Sequence, residues 1–149
     1  MNKKLFENEY VQTSLVFINQ EQTIYSYRWK QANKYLSPEM YQTETRRHRD
    51  YIQKYKPTFV MADFQESQFI ISADLQPFVK TQVLDKMVET GTKKLAIIPP
   101  EDNVLKMSIE QTLEEQTAAP YAIRFFESVD EAKIWFVKKD IWHAYAHKL

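Results

Sequence analysis

Hydrophobic positions in this chain follow two alternating rhythms. From Val11 to Ile18 the alternation is loose. From Thr23 to Trp29 it is clean, with Ile24, Ser26 and Arg28 on one face and Tyr25, Tyr27 and Trp29 on the other. A period of two is that of a half-buried strand. The polar Asn19-Gln20-Glu21-Gln22 lies between the runs, so they predict an antiparallel hairpin. Three shorter apolar runs follow: Thr58 to Asp63, Leu95 to Ile98 and Tyr121 to Phe126. Bounded by Pro57, Gly91, Pro99, Pro120 and Ser128, they are too short for ordinary helices and predict buried strands.

Between these runs the period changes to that of a helix. Ser37-Pro38 supplies an N-cap and a first-turn proline, and Tyr41, Thr45, His48, Ile52 and Tyr55 form one stripe that must end before Pro57. A second helix is predicted from about Ala73 to Thr90. Pro77 sits in its tolerated first turn, and Leu75, Phe78, Val79, Leu84, Met87 and Val88 form its apolar face. Gly91 suits a left-handed C-cap. A third helix carries Val104, Leu105, Met107, Ile109 and Leu113, with a break expected near Ser108. Ser128 and Glu131 form a capping box for a fourth, which turns Ala132, Trp135 and Phe136 inward. The order β-β-α-β-α-β-α-β-α predicts an α/β fold, mostly parallel, with an N-terminal antiparallel hairpin and helices packed against the sheet. Without repeat, low-complexity stretch or linker, the chain reads as one domain. Its core spans about residues 11–137, and residues 138–149 form a helical extension or tail.

Composition narrows the chemistry. The 149 residues suit one domain, and 44% hydrophobic residues are ordinary for a globular chain. Lys plus Arg and Asp plus Glu number 20 each, so no cationic excess points to nucleic acid. Without cysteine there is neither disulfide nor thiolate metal site. The first twenty residues show no leader-like apolar core, and no apolar stretch reaches membrane-spanning length. The expectation is a cytoplasmic protein without integral membrane association. A single glycine cannot build a phosphate-cradling loop, which argues against nucleotide-dependent chemistry.

Several segments together resemble the STAS domain superfamily, and within it the SpoIIAA-like family related to bacterial anti-sigma-factor antagonists. They are Met61-Ala62-Asp63, Gly91-Thr92-Lys93-Lys94-Leu95-Ala96-Ile97-Ile98-Pro99, Met107-Ser108-Ile109-Glu110, and the closing stretch from Ile123 to Trp135. The resemblance covers roughly Thr13 to Val137. It implies a small non-catalytic regulatory or protein-interaction module without a cofactor, acting on a protein partner or as a homodimer. Phospho-regulated members carry an Asp-Ser-Ser-Gly-type turn after the third strand. Its matching position here is about Ser72, beside Asp74 and without the second serine and the glycine. Lipid-carrier relatives imply an alternative role as carrier or sensor of a small apolar ligand. Its pocket would be lined by Phe64, Phe69, Phe78 and the helix of Met107.

The remaining candidates are individual residues. Ser72 is read as an N-cap serine open to phosphorylation. Asp63 and Glu66 lie beyond the end of a parallel strand, where open α/β sheets bind ligands, and are a candidate acid pair. His48 sits on an apolar stripe and reads as a satisfied, partly buried histidine. His143 and His147 have i,i+4 metal-ligand spacing without an evident third ligand. Arg46-Arg47-His48-Arg49 reads as a solvated helix face.

Overall fold

The computed structural model describes residues 2–114 and 119–138. Six strands form one sheet in chain order: β1 (Asn2–Glu7), β2 (Val11–Phe17), β3 (Thr23–Trp29), β4 (Phe59–Asp63), β5 (Lys94–Ile98) and β6 (Ala122–Phe125). The first three pair antiparallel, and β3 through β6 pair parallel. Among the described residues a short 3-10 helix (Gln31–Tyr35) and four longer helices accompany them: α1 (Pro38–Tyr55), α2 (residues 76–90), α3 (Asn103–Glu114) and α4 (Val129–Val137).

The two faces of β3 divide as its alternation predicts. Tyr25, Tyr27 and Trp29 join Val60, Ala62, Leu95 and Ile97 beneath Tyr41 and Ile52 of α1, Leu84 and Met87 of α2, and Ile109 of α3. The opposite face of the central strands carries Ile24, Phe59, Met61, Ala96 and Ile98. It packs against Ala132 and Phe136 of α4, with the rings of Phe59 and Phe136 stacked at 4.9 Å. Helices thus cover both faces of β4, all five of whose residues are buried. That double burial is why its sequence is an unbroken apolar run.

Local signals fix most helix ends. Ser37 Oγ accepts the Met40 N–H at 3.2 Å, and Ser128 Oγ accepts the Glu131 N–H at 3.2 Å. Lys56 adopts a left-handed φ of 44° at the end of α1, directly before Pro57.

Four expectations need correction. β1 was not anticipated: its Asn2-Lys3-Lys4-Leu5-Phe6-Glu7 is too polar to register as a strand, yet it forms the sheet edge beside β2. Edge strands carry charge, lysine above all, because charge discourages pairing with other chains. The fold therefore starts well before residue 11. The second helix begins at Gln76 rather than Ala73. It is α-helical over Gln76–Val79, π-helical over Lys80–Leu84 and α-helical again over Asp85–Thr90. The third helix does not break at Ser108, whose hydroxyl donates to the Leu105 carbonyl at 2.8 Å and so stays within the helix.

Gly91 ends α2 at φ 83°, and a Cβ built there meets no heavy atom within 4 Å. Its glycine requirement is thus one of backbone conformation alone. Gly91→Ala should cost about 1 kcal/mol, the left-handed penalty, without change of fold. A urea-midpoint shift with unaltered slope would show this, and an unshifted midpoint would contradict it.

Candidate functional site

The C-terminal ends of the parallel strands gather the first group of polar residues. Asp63 closes β4 and is buried, and its Oδ1 accepts the Gln65 N–H at 3.0 Å. Desolvation raises its carboxyl above the usual range, although the Gln65 hydrogen bond and the nearby Arg28 charge pull the other way. Cross-strand register sets Gln12 beside Arg28 and Arg28 beside Asp63. Arg28 donates to Gln12 Oε1 at 2.8 Å and to the exposed Glu66 at 2.6 Å. The Glu66 charge also pushes the Asp63 carboxyl upward, but the two side chains have different partners. One closes a turn, and the other is an exposed ion-pair partner of modest energetic weight.

Beyond Asp63 the chain runs through residues 64–75 without regular structure, but it is pinned at three points. The fully buried Asn33 donates to Ser67 Oγ at 2.8 Å and accepts the Gln68 N–H at 2.8 Å. The Phe69 ring stacks on Tyr41 at 4.2 Å with only 7° between planes. Ser108 Oγ accepts the Ile71 N–H at 3.2 Å. This last bond draws residue 70 alongside the α3 turn that carries Met107. Ile70, Val104 and Met107 are 52%, 61% and 54% exposed, so an apolar surface faces outward there. Beside it lies a groove of about 760 Å³ lined by Gln65, Gln68, Pro99, Pro100, Glu101, Asp102, Leu105 and Glu127. No lysine or arginine lines it, while three carboxylates do.

A second feature is a small, partly open cavity. It lies between the sheet and α1, α2 and α3 and measures about 40 Å³. Aromatic side chains from β3 and α1 form one wall, and Val79, Val83, Leu84 and Met87 of α2 line it too. His48 is among its lining residues and only 2% exposed. Tyr27 stacks on its ring at 4.1 Å, and Tyr25 Oη lies 2.6 Å from Nδ1. Burial, with a smaller push from the Arg47 guanidinium, holds its imidazole down to about 3, so the ring is neutral at pH 7. Nε2 is fully buried and has no hydrogen-bond partner among the described residues.

The residues singled out in sequence distribute as follows. Ser72 is exposed and does not cap α2: its carbonyl accepts the Leu75 and Gln76 N–H groups, and the cap position is Leu75, without a side-chain bond. Asp74 is exposed. Of the expected pocket residues, only Phe64 lines the cavity. Phe69 is occupied with Tyr41, Phe78 carries the Arg46 guanidinium 5.3 Å over its ring, and Met107 faces solvent while Ile109 of the same helix lines the cavity. His48 is more deeply buried than expected and satisfied at one nitrogen only. The signal that could have found the cavity was present: the inward face of β3 and the α1 stripe are both aromatic and carry His48. His143, His147 and the tail beyond Lys138 lie outside the described residues. Among the described residues no cluster of His, Asp or Glu could hold a metal ion, and no helix is long and apolar enough to cross a membrane. Comparison with family models, curated proteins and solved structures finds no match to this chain.

Proposed function

We propose that this protein is a non-catalytic interaction module whose working surface is the pinned 64–75 loop together with the start of α3. The observation that carries this reading is the exposure of Ile70, Val104 and Met107 beside a loop held by buried and part-buried hydrogen bonds. A surface fixed before binding loses little entropy on docking, and exposed apolar groups beside a polar groove are typical of partner sites. The acidic groove next to them selects a partner segment that is basic as well as apolar. Such a module fits the STAS-like resemblance, with shape and charge in place of a phosphorylated serine.

The test is site-specific photocrosslinking in host cells, with the probe at Met107 and, as a control, at the exposed Lys54 on α1. A discrete adduct from position 107 alone, weakened severalfold by Glu101→Lys with Glu127→Lys, is the expected result. Identical adducts from both positions would sink the proposal.

A further inference from the structure

The two faces of the sheet are covered unequally. Among the described residues, α1, α2 and α3 pack on one face, whereas α4 alone packs on the other, over β4 and β5. Beside α4 this leaves an open groove of about 200 Å³ above β2 and β3. Register sets its floor. Gln12, Arg28 and Asp63 lie side by side in one row across β2, β3 and β4, and Ser14, Ser26 and Met61 form the next row. At ordinary strand spacings the rows are about 10 Å long and about 7 Å apart. Val129 and Lys133, one turn apart on α4, form the wall. The charged end of the floor coincides with the carboxyl ends of β3 and β4, where open α/β sheets take ligands.

A solvated sheet face is ordinarily polar, so polarity alone signals nothing here. Two observations go further. Asp63 is only 5% exposed and has no salt bridge among the described residues, an unusual depth for an unpaired carboxylate. Its Oδ1 accepts the Gln65 N–H, while Oδ2 meets no donor among the described residues and is not fully enclosed. The groups around it, by contrast, are free donors. Arginine only donates, so Gln12 turns Oε1 toward Arg28, at 2.8 Å, and its NH2 away. The hydroxyls of Ser14 and Ser26 and the Lys133 ammonium have no hydrogen-bond partner among the described residues. Arg28 is already paired with Glu66, which leaves Lys133 as the cation available to a ligand.

Many donors, one acceptor and one available cation match a ligand that mostly accepts, carries one negative charge and can donate once or twice. A carboxylate bearing hydroxyl groups has that inventory. The volume equals the liquid share of about six or seven waters, which suits a molecule smaller than drug-sized. We infer that this groove binds a small polyhydroxy carboxylate, whose carboxylate pairs with Lys133 and whose hydroxyls meet Asp63, Ser14 and Ser26. The site is separate from the surface of Ile70, Val104 and Met107, and its fate does not depend on that surface.

Threonate, erythritol and butyrate, each of four carbons, separate the parts of this recognition. They would be titrated into the ¹⁵N-labelled full chain and followed by backbone amide shifts. Threonate should shift the amides of Ser14, Ser26 and Val129. It should bind at least about tenfold more tightly than erythritol, which lacks the charge, or butyrate, which lacks the hydroxyls. Lys133→Met should bring threonate down to the level of erythritol. Ser26→Val, which suits a strand and fills the floor, should abolish threonate binding, and Ser14→Val serves the same purpose if that variant folds poorly. Erythritol binding as tightly as threonate would mark a site for neutral polyols and overturn the inference. Butyrate binding as tightly would reduce it to an adventitious ion contact. Threonate shifts that persist in both Lys133→Met and Ser26→Val, or that never arise in the wild type, would overturn it as well.

Discussion

Acidification below pH 6.5 should destabilise this protein with a slope that approaches about 1.4 kcal/mol per pH unit. The cause is His48. Its imidazole titrates near 6.5 when solvated and at about 3 in the fold. Between those values the unfolded chain binds a proton that the native state refuses, so stability is complete above the upper value and drains away as pH falls toward the lower. Across the whole window the loss amounts to roughly 4–5 kcal/mol, much of an ordinary domain's stability. Asp63 acts in the opposite sense. Its carboxyl is raised in the fold, so protonation above its ordinary 3.8 favours the native state and partly offsets the loss at the acid end. The interval just below pH 6.5, farthest from that ordinary carboxylate value, is accordingly the cleaner one. Guanidinium unfolding at successive pH values should show the slope, and His48→Gln should flatten it. A flat profile over that interval in the wild type would contradict the buried, neutral state of His48.

Trp29→Ala should cost about 3–5 kcal/mol, the range for deleting a large buried aromatic. Trp29 is 2% exposed, stacks on Tyr41 at 5.4 Å and meets His48 edge-on at 5.4 Å. Its removal would merge a new void with the existing cavity and let water reach the histidine. Two measurements then move together. The urea midpoint falls, and the acid slope attributed to His48 shrinks, because a hydrated imidazole recovers an ordinary pKa. A variant that lost stability but kept the full acid slope would show that Trp29 does not shield His48. A loss under about 2 kcal/mol would show that the surrounding rings collapse into the space.

The parts of this molecule legible in sequence are those in which one physical signal dominates. The face division of β3, the antiparallel β2–β3 hairpin, the Ser37 and Ser128 caps and the left-handed Gly91 follow from periodicity or single-residue chemistry. What stayed hidden depends on tertiary partners. β1 has no apolar alternation because it needs none at an edge. Ser72 has the composition of an N-cap, but the helix starts four residues later. The π-helical segment leaves the apolar spacing of α2 almost intact, so no sequence pattern announces it. Met107 and Ile109 differ by two positions, and only the rotation of α3 decides which faces the sheet. The unpaired nitrogen of His48 was beyond sequence reasoning, since satisfaction is a property of neighbours.

The sheet's strand order has a consequence for how the chain is made. Because β1 through β6 lie side by side in the order of synthesis, no strand has to insert between two already in place. The β1–β3 meander needs only short-range closures, and each later strand adds to the growing edge once its helix has emerged. Assembly can therefore keep pace with a ribosome from the N-terminus onward, exposing at any moment a single unfinished edge.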